Sequence, residues 1–317
     1  LSTAKPTTEA KPSVSDEPPP SKAAKLREEQ SVGQTAADTD RNDDEDEAQL
    51  PSWPDDGSLA AANVDHLPAG LWAIDTVNPN AWPGARKFLH ATAADVVLAQ
   101  EATDPAGDTA EQAEQSARAA KWNCSILPCH FTERDGLFAG TAVCVHPHIG
   151  MTTGPTIPDE THLAHPGRIH VRKVAAICKG GIHMAATYFR DKVNGKWPSS
   201  NLDMLHHIAA IIAGLTGPWI IGADWNCTPD ELKATGWLKL VGGTIAAPKA
   251  PTCNGSIYGF FVVADSLGHA VYGTHTIGDA LCTPHSPSRL LLRAKPRAVQ
   301  VQVIRSLGRF DACLPFG

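Results

Sequence analysis

From residue 71 onward, short apolar runs alternate with stretches in which apolar residues fall three and four apart. The runs LWAIDTV (71–77), DVVLAQ (95–100), TAVCV (141–145), VRKVAAIC (171–178), IHMAATYF (182–189), WIIGAD (219–224), FFVVA (260–264) and SRLLLR (288–293) have the length and β-branched or aromatic content of strands. Between them, PGARKFLHATA (83–93), DTAEQAEQSARAAKW (108–122) and SSNLDMLHHIAAIIAGL (199–215) carry helical spacing. The last of these opens on a Ser N-cap and stops at Gly214. At least eight strands mixed with helices predict an α/β domain over 66–294, and the lack of a repeat period argues against a solenoid or propeller.

The pattern is missing from both ends, and charge explains one of them. Residues 1–56 hold 14 acidic and 6 basic residues, net -8, whereas the rest holds 20 acidic and 21 basic, net +1. That first segment is rich in Pro, Ser, Asp and Glu and nearly free of aromatics, so it buries too little surface to offset the entropy of ordering. Residues 1–57 therefore read as a disordered acidic tail, most simply a solvated linker, and 295–317 as a short C-terminal extension. With 42% hydrophobic residues the remainder is long enough for a sizeable core. Its longest apolar run, 208–222, is broken by Gly214, Gly217 and Pro218 and is shorter than the roughly twenty residues a spanning helix needs, so no membrane segment is expected. The chain opens on Leu1, which leaves an upstream targeting segment open.

Eight cysteines never form a C-x-x-C pair, and Cys144 and Cys178 sit inside apolar runs, where a free thiol packs as a small hydrophobe. A reducing compartment is expected, intracellular (nuclear or cytoplasmic) rather than secreted. The five histidines between His146 and His170 lie among Pro and Gly without a Cys or carboxylate pattern to complete a tetrahedral set, so they read as loop residues rather than a metal site.

Chemistry is to be sought at the strand ends. Asn78 and Asn80 follow the first strand, Gln100 and Glu101 close the second, Asp224 and Asn226 close WIIGAD, and His285 precedes the last strand. Singly, such residues are turn formers or solvated charges. Together they supply a hard oxygen ligand, a carboxylate to orient water, amides and a histidine, the set that metal-assisted phosphodiester hydrolysis needs.

At these residues the chain resembles the endonuclease/exonuclease/phosphatase superfamily. TVNPNAW and ADVVLAQEATDP look like its opening motifs, and IIGADWNCTPDEL looks like its Gly-(Gly/Ala)-Asp-Phe-Asn motif with Trp225 in the Phe place. ATYF, GSIYGFFVVADSL and TPHSPSRLLL match its Asn-x-Tyr, Ser-x-Ile-Asp-Tyr and Ser-Asp-His-x-Pro segments. The short form of the motifs is closest to the endonuclease domain of non-long-terminal-repeat retrotransposons, although the residues after 294 are too few for a polymerase domain. The resemblance implies a four-layer α/β sandwich, two mixed β-sheets flanked by helices, and a Mg²⁺- or Mn²⁺-dependent phosphodiester hydrolase of DNA endonuclease type. It implies Glu101 as metal ligand with Asn78 and Asp224 beside it, and Asn80 close behind in the same rim. It further implies Asp224 as the group that orients or deprotonates water, and Asn226, Tyr188 and His285 on the phosphate.

Two positions depart from the family pattern. The acid that orients the late histidine is replaced by Gly259, and the acid preceding that histidine by Pro284. A catalytic histidine without an acidic partner loses its fixed tautomer and part of the stabilisation of its charged form, so impaired catalysis is expected. Asp265 and Asp279 are the nearby substitutes. Two other readings stay open: a binding module that keeps the fold without the chemistry, and a phosphatase of a small molecule or lipid. DNA is the expected partner, with RNA or a small phosphoester as alternatives, and the chain is expected to be monomeric. Arg168, Arg172, Lys173, Arg190, Lys192 and Lys196 form either a solvated basic face or a phosphate-contacting surface. Trp82 and Trp197 are read first as core or loop anchors and second as base-stacking groups.

Overall fold

The computed structural model of the chain describes His66 and residues 68–102, 110–131, 137–278 and 282–293. The acidic segment 1–57, the extension 295–317 and Asp279 lie outside the described residues. Among the described residues, one six-stranded sheet runs in the order β13 (Val271–Thr276), β14 (Ser288–Arg293), β1 (Leu71–Val77), β2 (Val96–Gln100), β6 (Thr141–Val145), β3 (Asn123–Leu127). The other runs β11 (Gly243–Ala246), β12 (Gly259–Ala264), β10 (Trp219–Asp224), β9 (Ile182–Tyr188), β8 (Ile169–Val174), β7 (Met151–Thr153). A small ladder pairs β4 (His130–Phe131) with β5 (Leu137–Phe138). Both large sheets are mixed: β1 and β2 are parallel, as are β9 and β10, and their other neighbours are antiparallel.

The alternation of side chains along the strands sorts the core into three layers of contact. Ile74, Leu98, Val143 and Leu290 of the first sheet meet Met184, Ile220, Phe261 and Val263 of the second. On the outer side of the first sheet, Val97 and Ala99 pack under Phe88 and Leu89 of α1 (Trp82–Ala91) and Ala113 and Ala117 of α2 (Ala110–Ala119). The second sheet's outer side, with Ile221, Phe260 and Val262, is covered by α4 (Ser199–Ala213), α5 (Pro229–Ala234) and α6 (Trp237–Val241) through Leu205, Ile208, Leu232 and Trp237. A further short helix, α3 (Asp159–Ala164), precedes β8. This is the expected four-layer sandwich.

The sheets approach closely at Gly222. A Cβ there would lie 2.7 Å from Leu98 Cδ1, closer than real Cβ atoms come, and 3.0 Å from Thr76 Cβ, a tight contact. Gln100 bridges the same place: its buried Nε2 faces Thr76 Oγ1 at 3.0 Å and the carbonyls of Leu98 and Gly222 at 3.0 and 3.2 Å. A second fixture holds β1 to β14. Asp75 and Arg289 are register partners, and the guanidinium donates from Nε to Oδ1 at 2.7 Å and from Nη2 to Oδ2 at 2.9 Å in a fully buried fork.

Several local expectations are corrected. The β8 strand spans Ile169–Val174 rather than 171–178, because the chain turns after Val174: Ile177 is left-handed (φ 67°) and the Cys178 N–H donates to the Ala176 carbonyl. Helix α4 has Pro198, not a serine, at its N-cap, and no side chain caps it. Its first turn is tied down by the buried Asn201, whose amide brackets the backbone of Arg190, accepting at 2.9 Å and donating at 2.8 Å. Cys144 is not a free thiol: it faces Cys124 across the β3–β6 pair and the two form a disulfide, their Cα atoms 4.0 Å apart. No helix of the described residues is long and apolar enough to cross a membrane.

Candidate functional site

Strand parity and strand direction together build the site. On β1, Ile74 and Thr76 face the opposite sheet, so Asn78 two residues on continues that face beyond the strand end. The same count carries β9 through Met184 and Ala186 to Tyr188, and β10 through Ile220 and Gly222 to Asp224. Because β1, β2, β9 and β10 end at the same rim, and the antiparallel β12 and β14 begin there, Gly259 and the segment before Ser288 arrive at it too.

The rim gathers the expected residues. Asn78 Nδ2 donates to Glu101 Oε2 at 2.7 Å and to Asp224 Oδ2 at 2.8 Å, so these two oxygens can be no further apart than about 5.5 Å, the two contacts laid end to end. His285 Nδ1 stands 3.7 Å from the same Asp224 oxygen. Tyr188 hydrogen-bonds to Glu101. Asn226 donates its backbone N–H to Asp224 Oδ1 at 3.2 Å and its side-chain amide to the Phe189 carbonyl at 2.9 Å. Asn80 ties the β1 end to the histidine loop by donating to the Thr283 carbonyl at 2.7 Å. Three of these residues are left-handed: Asn80 (φ 61°), Asn226 (φ 49°) and Glu101 (φ 47°). Asparagine tolerates that conformation, whereas in glutamate it is strain of the kind that collects at functional sites.

Electrostatics follow from burial. Asp224 is enclosed, and desolvation pushes its carboxyl above the usual range against the opposing pull of His285, the Asn78 amide and the Asn226 N–H. Burial, and then the charge of Glu101, raise the Tyr188 phenol far above its ordinary value, so it remains a hydrogen-bond donor at any working pH.

Hard oxygen donors of this kind suit Mg²⁺ or Mn²⁺ rather than Zn²⁺. Among the described residues no group of three or more His, Cys, Asp or Glu side chains is placed to hold a metal ion. That is compatible with Mg²⁺, which commonly takes one or two carboxylates and fills its remaining positions with water and substrate phosphate. Glu101 fits as the ligand, partly open to solvent. Asn78 Oδ1 accepts from the Asn80 N–H at 3.0 Å, which leaves its second lone pair for a cation, and through its nitrogen it braces the two carboxylates.

Other expectations divide. Arg168, grouped with a basic surface, is fully buried: it donates to the Tyr188 carbonyl at 2.9 Å and its guanidinium lies 4.9 Å from the centre of the Tyr188 ring. Burial lowers it to about 10, which still leaves it charged at neutral pH behind the Tyr188–Glu101 contact. The Gly167-Arg168-Ile169 run at the start of β8 carries no signal for this in the sequence. Lys192 is held by Glu231 at 2.6 Å and Arg172 by Ser125 at 2.8 Å, so the basic group does not form one free face. Trp82 is buried and donates to Ser116, and Trp197 stacks on Phe189 and donates to the Trp225 carbonyl, which makes both anchors. Asp265 cannot serve His285: it accepts from Thr244 Oγ1 at 2.7 Å beyond the opposite end of β12. Beside Gly259 stands Thr252, whose Oγ1 accepts from the N–H groups of Tyr258 and Gly259, and beside His285 stands Cys253. Sequence reasoning missed both, since neither belongs to a motif.

No curated protein sequence matches the chain. Solved structures of the same fold include the AP endonuclease LMAP from Leishmania major (13% identity, TM-score 0.53, covering 71% of this chain and 89% of that one). They also include the Xenopus laevis APE2 catalytic domain (16%, 0.52, 72% and 94%) and the endonuclease domain of TRAS1, a telomere-specific non-LTR retrotransposon (15%, 0.51, 71% and 100%). At such identities the likeness speaks for the fold. A sequence profile of the Endonuclease/Exonuclease/phosphatase family matches residues 60–290, most of the chain, and the chain belongs to that family.

Proposed function

We propose that the protein is a divalent-metal-dependent phosphodiester hydrolase acting on DNA, slowed by the missing carboxylates at 259 and 284. The observation that carries this reading is the single amide of Asn78 holding Glu101 and Asp224 together, with His285 against Asp224. DNA is favoured as substrate because the structures of like fold include one named as an AP endonuclease and one named as a retrotransposon endonuclease domain. A bound Mg²⁺ supplies Lewis-acid stabilisation of charge on the phosphate oxygens. Asp224, raised by burial, accepts the proton of the attacking water. Asn226 retains one amide N–H beyond its bond to Phe189, and it and His285 are placed to hold phosphate oxygens as their charge grows, whereas the single Tyr188 hydroxyl proton is engaged with Glu101 and reaches a phosphate oxygen only by leaving that contact.

The test is nicking of supercoiled DNA. Weak, Mg²⁺-dependent nicking is expected, lost in His285→Ala. The double change Gly259→Asp and Pro284→Asp is expected to raise it at least about tenfold, equivalent to roughly 1.4 kcal/mol of barrier. Position 259 has room for a side chain, since a Cβ there meets Thr252 Oγ1 at an ordinary 3.6 Å. A folded double variant with no gain, beside an efficient wild type, would overturn the impairment. The same two positions favour a second reading, a binding module without chemistry, which predicts DNA binding with no Mg²⁺-dependent product from the wild type or from His285→Ala.

A further inference from the structure

His285 has no acid at 259 or 284, yet it is not loose: its side chain is only 16% exposed and its backbone bridges antiparallel to Cys253. The segment that reaches it, residues 252–256, is a tight hairpin. The N–H of Cys253 donates to the Ser256 carbonyl at 3.0 Å and that of Ser256 to the Cys253 carbonyl at 2.8 Å, while Asn254 (φ 47°) and Gly255 (φ 78°) are both left-handed, as a two-residue hairpin turn requires.

Thr252 fastens this turn on two sides. Its Oγ1 accepts from the backbone of Tyr258 and Gly259 at 2.8 Å each, and its carbonyl accepts from the Ser286 N–H at 2.7 Å. The turn is thereby bound both to the start of β12 and to the histidine loop. Cys253 Sγ comes to rest 3.9 Å from His285 Nε2, on the other side of the ring from Asp224, which faces Nδ1 at 3.7 Å.

We infer that Cys253, presented by the 252–256 turn, is the positioning partner of His285, standing on the Nε2 side of the imidazole. The assignment rests on the proposed function in one respect: it takes His285 to be the phosphate-binding group. A thiol is a weak donor and a weak acceptor, so it orients the ring without stabilising an imidazolium as a carboxylate does. It gives the histidine an orientation on the Nε2 side, while the carboxylate that faces Nδ1, Asp224, is the one assigned to the attacking water.

The test reads the ring itself. In uniformly ¹⁵N-labelled full chain, with the His285 signals identified by their loss in His285→Gln, Cys253→Ser is expected to keep the tautomer of His285. Cys253→Val, close to the thiol in volume, is expected to change it. Nicking should fall about three- to tenfold in Cys253→Val, in turnover rather than in KM, and recover in Cys253→Ser. Unchanged His285 ring signals in a folded Cys253→Val, with Cys253→Ala as the alternative should valine unfold the turn, would overturn the assignment. Because the spectrum needs no turnover, a chain that nicks in no variant counts against the proposed function while the spectrum still decides the role of Cys253.

Discussion

Asp224→Asn is expected to lower Mg²⁺-dependent nicking by about a thousandfold while leaving the fold intact. Removing a general base costs on the order of 10²–10⁴ in rate, and no second carboxylate stands in its place, since Glu101 is engaged by Asn78 and Tyr188. Stability moves the other way. The folded-state carboxyl is raised by burial, so its ionised form is disfavoured in the fold, and the penalty appears as pH rises through that raised value. A neutral amide escapes the penalty, although it gives up one acceptor of the pair that meets Asn78 and Asn226. Comparing chemical denaturation of the two proteins over a pH series, in chelator, checks the sign: the variant should gain relative to wild type as pH rises through the raised value.

Arg289→Met is expected to destabilise the protein by about 3–5 kcal/mol, because it leaves the Asp75 carboxylate charged, buried and without its guanidinium partner. Thr92, whose hydroxyl donates to the same carboxylate, cannot replace that charge. For a domain of this size the melting temperature should fall by roughly 10 °C. The double change Asp75→Leu and Arg289→Met should recover most of the loss, since a buried ion pair replaced whole by apolar side chains is often close to neutral. Activity adds a separate prediction. Asp75 lies three residues before Asn78 and Arg289 four after His285, and the two are register partners, so the pair sets where β1 and β14 deliver those side chains. A double variant that refolds but nicks less than wild type would show this positioning role; full activity would show that strand pairing alone suffices.

The central strands were legible, and the edges were not. LWAIDTV, TAVCV, WIIGAD and SRLLLR occur as the strands Leu71–Val77, Thr141–Val145, Trp219–Asp224 and Ser288–Arg293, each with a neighbour on both sides and apolar on both faces. The short ladder β4–β5 was unread, and in the two large sheets the strands left unread, β3, β7, β11 and β13, are the four edges among the described residues. Their sequences NCSIL, MTT, GTIA and VYGTHT are short or polar, because an edge strand has one flank toward solvent and little apolar surface to bury. The start of β8 was missed for a related reason: His170 looks like a loop residue, yet it is buried against Ser125. At the site, residues at strand ends could be found because strand parity and direction carry them to one rim. Arg168, Thr252 and Cys253 could not, since each acts through a contact with a residue far away in sequence or through a turn whose neighbours only the fold brings close.

The most direct test of the central claim is the rate of supercoiled DNA nicking as a function of Mg²⁺ concentration, measured for the wild type and for Glu101→Gln. The account predicts a saturable rise for the wild type, no product in chelator, and a Glu101→Gln curve displaced to at least about tenfold higher Mg²⁺, as expected when one carboxylate is lost from a site that has few. Nicking that persists in chelator, or a Mg²⁺ curve that Glu101→Gln leaves in place, would contradict it.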